Sequence, residues 1–91
     1  MVRGKVQGVG FRAFVEHHAL QRGLAGWVRN RRDGSVEAVF AGPAKSVVGM
    51  IKVCGVGPLS ADVDALDQRD GSDDELNARA PGELFSMLAT T

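Results

Sequence analysis

At 91 residues, 44% of them hydrophobic and 24% charged, the chain has the size and make-up of one small globular domain over 1–91 and not of a disordered segment. Its formal charge is zero, yet residues 1–60 carry nine Lys/Arg against three Asp/Glu (+6) and residues 61–91 two against eight (−6). The positive part suits an anionic partner, although uneven charge can also be mere surface solvation.

The first informative stretch is Arg3-Gly4-Lys5-Val6-Gln7-Gly8-Val9-Gly10-Phe11-Arg12. Glycines let a backbone turn sharply and aim several N–H groups at one point. A helix start adds unpaired N–H groups and partial positive charge, and Arg12 adds a planar fork of donors. This is either a cradle for a small phosphate-like anion or a structural turn. The spacing is neither the dinucleotide fingerprint nor the P-loop.

Residues 11–22 follow with Phe11, Phe14, Val15, His18 and Ala19 at amphipathic-helix spacing, and Gly23 is suited to end the helix. His18 falls on the apolar stripe and is expected at the core edge, with His17 in solvent. Residues 24–30 read as a strand carrying Trp27, expected in the core. Arg31-Arg32-Asp33-Gly34 supplies turn chemistry, and Arg29, Arg31 and Arg32 are expected to be solvated there. Ser35–Ala41 reads as the partner strand, Val36, Ala38 and Phe40 on one face and Glu37, Val39 and Ala41 on the other. Gly42-Pro43 opens a second helix with the stripe Val47, Val48, Ile51, Cys54, closed by Gly55. Ala61–Asp67 reads as a strand, 68–82 as a mobile acidic loop with at most a helical turn at Glu75–Arg79, and Leu84–Ala89 as the last strand. Met50 and Met87 are expected to pack.

With one strand ahead of the loop this order becomes βαββαβ plus a final strand. That is an α+β, ferredoxin-like α/β sandwich, an antiparallel sheet with two helices on one face. Only Met1-Val2-Arg3 stands before the first glycine, so the first strand is expected to be truncated. Loss of a central strand exposes ladder edges on its neighbours. Either the chain starts upstream or the fold is marginal.

No run approaches the roughly 18 apolar residues of a membrane span, and the start holds no signal-peptide apolar region. The lone Cys54 excludes an intrachain disulfide and is expected to be a buried small hydrophobe. A cytoplasmic location and no membrane partner are therefore expected. Nucleic-acid binding is not expected, since the chain has no Tyr, four Phe and one Trp and no RNP-like motif.

Gly-Lys-Val-Gln-Gly-Val-Gly-Phe-Arg at 4–12 resembles the signature of the acylphosphatase family. Gly23-Leu24-Ala25-Gly26-Trp27-Val28-Arg29-Asn30, followed by Asp33-Gly34-Ser35-Val36-Glu37, resembles that family's second motif. Gly57-Pro58, Ala61, Val63 and Phe85 fit its later pattern more loosely. The resemblance implies the same ferredoxin-like fold and metal-independent, cofactor-free hydrolysis of small acyl phosphates, with no covalent enzyme intermediate. It assigns the phosphate to the amides of Gln7, Gly8, Val9, Gly10 and Phe11 together with Arg12, and the attacking water to Asn30. The chain agrees in lacking a cluster of residues at metal-ligand spacing. A monomer is expected.

The amino-terminal domain of hydrogenase-maturation carbamoyltransferases is similar over 3–12, so a non-catalytic or accessory module is the alternative. The Gly-Trp-Val-Arg-Asn form of the second motif and the absence of zinc-finger cysteines after it favour the free-standing enzyme.

Overall fold

The computed structural model describes all of residues 1–91. Its elements are β1 (Val2–Lys5), α1 (Phe11–Gln21), β2 (Ala25–Asn30), β3 (Val36–Ala41), α2 (Ala44–Val56), β4 (Asp62–Leu66), α3 (Asp73–Leu76) and β5 (Phe85–Met87). The strands form one sheet in the order β4-β1-β3-β2-β5. This is the expected ferredoxin-like sandwich, with α1 and α2 packed on one face.

The core is built by periodicity. Phe11, Val15 and Ala19 line the buried side of α1, and Met50 and Cys54 that of α2. Val2, Val6, Val28, Val36 and Phe85 meet them from the sheet and its loops. Burial of such side chains is the main force holding a domain of this size together, at about 1.5–3 kcal/mol each.

The sheet is mixed and not wholly antiparallel. β5 runs parallel to β2, with Gly26 opposite Phe85 and Val28 opposite Met87. The reason is the route of the chain: residues 67–84 carry it from β4 at one edge to the other, where it enters alongside β2 in the same direction. Parallel pairs need such a long crossover.

β1 is short, Val2–Lys5, but sits inside the sheet between β4 and β3. It pairs with β4 from Val2 to Lys5, yet meets β3 only at Val2 opposite Val36. Beside it lies a cavity of about 280 Å³ bounded by Val2, Ala38, Phe40, Ile51, Cys54 and Leu66, among others.

Three further expectations are corrected and one is refined. α2 continues past Gly55 to Val56 and is closed by Gly57 at φ 70°. There is room for this because Gly55 faces outward and needs no turn. The 68–82 segment is not simply a loop: α3 forms there behind a capping box, Ser72 Oγ accepting from the Glu75 amide and Glu75 Oε1 from the Ser72 amide. Trp27 is buried in keeping with the expectation, although on the face away from the main core cluster. Strand alternation puts it on the face away from α1 and α2, where its indole reaches the carbonyl of Glu75 in α3. Met87 is exposed, because an edge strand is covered on fewer sides.

Candidate active site

Between β1 and α1 the chain makes two left-handed turns, at Gly8 (φ 73°) and Gly10 (φ 79°). A Cβ at either would meet nothing within 4 Å. Glycine is therefore demanded by the backbone angle and not by crowding. Gly10 is also the residue preceding α1, and it offers no side-chain cap. The amides of Gln7, Gly8, Val9 and Gly10 donate to no protein acceptor. The first amides of α1 follow, and a helix start leaves these unpaired by construction. No acidic residue stands in the first turn to occupy them.

Arg12 lies in that first turn, half-buried. Its guanidinium makes no hydrogen bond or ion pair within the chain. An arginine here opposes the helix dipole, which costs a few tenths of a kcal/mol to about 1 kcal/mol unless an anion offsets it. Arg3, Arg29 and Arg31 are committed elsewhere: Arg3 to Asp33 and Asp67, Arg29 and Arg31 to Glu37. Arg29 also lies 4.6 Å over the Trp27 ring. These two are thus not the solvated turn the sequence suggests; Arg32 is exposed.

Val9 and Phe11 anchor the loop from below. Phe11 is 2% exposed, and Val9 packs against the core. A Cβ on Gly57 would stand 2.7 Å from the Phe11 ring, so the turn after α2 must be glycine for Phe11 to seat. This gives the Gly57-Pro58 pair a structural purpose behind the loop.

Asn30 ends β2, opposite Val36 and two residues on from the core residue Val28, hence on the helix-side face. Its side-chain amide makes no hydrogen bond within the chain, whereas its carbonyl accepts from the Thr91 amide at 3.1 Å. The turn that follows is tightly made. Asp33 Oδ1 accepts from the Ser35 amide at 2.9 Å and the Ser35 hydroxyl at 2.6 Å. These bonds, first the hydroxyl's, hold the Asp33 carboxyl below its ordinary pKa. The Arg31 amide donates to the Ser35 carbonyl.

Gln7 joins the loop to that turn. Its Nε2 donates to the carbonyls of Arg31 at 2.6 Å and Ser35 at 2.8 Å. The side chain was missed in the sequence, where only the Gln7 amide drew attention. The one available signal was a polar side chain in a run of glycines and valines.

The two histidines stay outside this arrangement. His18 packs on Phe14 with ring centroids 4.4 Å apart and the rings tilted at 56°, and partial burial, then His17, lowers its pKa. His17 is exposed, as expected. No three His, Cys, Asp or Glu side chains converge to hold a metal ion. The cavity beside β1 includes neither Asn30 nor any residue from Gln7 to Arg12. No helix is long and apolar enough to cross a membrane.

The chain is thus a ferredoxin-like sandwich whose residue 7–10 amides and helix-start Arg12 have no partner within the protein. The family model described as Acylphosphatase matches residues 1–79. An acylphosphatase of Rhodopseudomonas palustris (strain BisB18) is 61% identical over 89 residues, covering 98% of this chain and 90% of the relative. The crystal structure of acylphosphatase from Bacillus subtilis superposes with a TM-score of 0.77 at 35% identity, covering 96% of this chain and 91% of that one. The structure of HypF from T. kodakarensis is also similar, with a TM-score of 0.76 at 26% identity, but the match covers 12% of that chain. The chain belongs to the acylphosphatase family, and so to the hydrolases acting on acyl phosphates.

Proposed function

We propose that the amides of Gln7, Gly8, Val9, Gly10 and Phe11, with the Arg12 guanidinium, hold the phosphoryl oxygens of a small acyl phosphate, and that Asn30 positions the attacking water. The water oxygen bonds to phosphorus and the bond to the bridging oxygen breaks. The carboxylate leaves with the electron pair; of the water's two protons, one stays on the attacking oxygen and the other passes to a phosphoryl oxygen of the released phosphate. Charge in the transition state is spread over the equatorial oxygens, so fixed N–H donors and a bidentate guanidinium are the fitting means of stabilising it. Asn30 suits its role because a carboxamide offers a donor and an acceptor without a charge that would repel the phosphate.

The observation that carries this reading is the co-occurrence of unpaired loop amides with an arginine that has no partner in the chain. Together they leave several donors and one cation at a single helix start open to an anion. The accessory-module reading is weaker, because the chain spans nearly the whole of the free-standing relatives and a small part of HypF.

The test is hydrolysis of benzoyl phosphate in the presence of EDTA by the chain and by Arg12→Lys, with circular dichroism on both. Lysine keeps the charge and loses the fork, so turnover should fall by about 10²-fold or more. Near wild-type turnover from Arg12→Lys would sink the assignment, and no turnover from the folded wild-type chain would move it to the accessory module.

A further inference from the structure

Resting on that reading, we infer that the Gln7 side chain is a positioning residue that sets the spacing between the phosphate cradle and the water held by Asn30. The two halves of the site stand on different elements. The cradle and Arg12 belong to the loop and α1, and Asn30 belongs to the end of β2. In-line attack needs both in one geometry, and a misplacement of about 1 Å can cost about 10²-fold in rate.

The hydrogen bonds between residues 6–12 and the turn 31–35 are the two from Gln7 Nε2, to the carbonyls of Arg31 and Ser35. Arg31 follows Asn30 directly. Ser35 O also accepts from the Arg31 amide at 2.9 Å, so both acceptors belong to one closed turn. On its other side, Asn30 is held through its carbonyl by the Thr91 amide. The backbone at Asn30 is thus held by its pairing with Val36 in β3 and by Thr91, and Gln7 alone ties the turn that follows it to the cradle by hydrogen bonds.

The residue type fits the task. Two carbonyl acceptors need two donors from one point, and a carboxamide nitrogen carries two. Glutamate would set a carboxylate against both carbonyls. Methionine matches the length and shape but donates nothing.

The experiment measures kcat and KM for benzoyl phosphate and the inhibition constant of inorganic phosphate. It is run for the wild-type chain, Gln7→Met, Asn30→Ala and the double variant, with rates referred to folded protein. Gln7→Met should lower kcat about 10- to 100-fold while the phosphate constant stays within about threefold, because phosphate reads the cradle and Arg12 alone. In the Asn30→Ala background Gln7→Met should add little, since its effect runs through the water Asn30 holds. An unchanged kcat per folded molecule overturns the inference. So does a phosphate constant that weakens in step with kcat, or additive losses in the double variant. Should Gln7→Met not fold, Gln7→Leu, which is uncharged and loses both donors, is judged on the same split. If wild type turns over and Asn30→Ala is impaired but Gln7→Met is not, the inference about Gln7 falls and the parent reading stands. If wild type is folded and inactive, both fall.

Discussion

The indole Nε1 of Trp27 donates to the carbonyl oxygen of Glu75 at 2.6 Å, across 48 positions of sequence. This bond docks α3 on the sheet face opposite α1 and α2. Arg69 clamps the same helix, its Nη1 and Nη2 meeting Glu75 Oε1 and Oε2 at 3.0 and 2.6 Å. The acidic segment is thereby a cover for Trp27.

The docking should respond to acid. Glu75 is held at about 2 against an ordinary 4.5, first by the Arg69 hydrogen bonds and then by the Ser72 amide. A depressed carboxyl stabilises the fold above its ordinary value and loses that contribution as pH falls through the folded one. Between about pH 4.5 and 2 the cover should loosen, read as a change in Trp27 fluorescence that precedes loss of far-ultraviolet dichroism. Glu75→Gln should show the loosened signal already at neutral pH. A fluorescence titration identical in wild type and Glu75→Gln would contradict this.

Asn30→Ala should lower kcat by about 10²-fold while phosphate inhibition is nearly unaffected. Steady-state kinetics on benzoyl phosphate decide it. A change confined to KM would make Asn30 a substrate-binding residue instead.

Gly10 stands at φ 79° with open space where a Cβ would go. Gly10→Ala should therefore destabilise by about 1–2 kcal/mol through backbone strain alone. Gly10→Asn should cost less, since asparagine visits the left-handed region more readily. Urea denaturation of the pair measures the order, and equal losses would point to lost space and not to the angle.

Burial pushes the Cys54 thiol up to about 11. Roughly a thousandth of it is then thiolate at pH 8. Labelling by a thiol reagent should be slow in the native protein and fast in denaturant. Rapid native labelling would show that the cavity beside Cys54 opens readily.

The elements α1, β2, β3 and α2 were legible in the chain within a residue or two, because their apolar spacing reports directly which side chains leave water. The turns of the loop were legible too, because the left-handed angles at Gly8 and Gly10 follow from residues local in sequence. Other features were decided by distant partners. α3 carries a capping box but too few apolar residues to dock alone; Trp27 and Arg69 hold it. Arg29 and Arg31 look like turn cations until β3 places Glu37 between them.

By itself the sequence determined the alternation of helices and strands, the glycine turns and the identity of the charged and amide side chains. These follow from backbone angles and hydrophobic periodicity, which neighbouring residues settle among themselves. Only the tertiary structure decided that β5 joins β2 in parallel, that Trp27 lies under α3 and not in the main core, and that Gln7 bonds to the turn after Asn30. Each of these pairs groups far apart along the chain, and their meeting depends on the packing of the whole sheet.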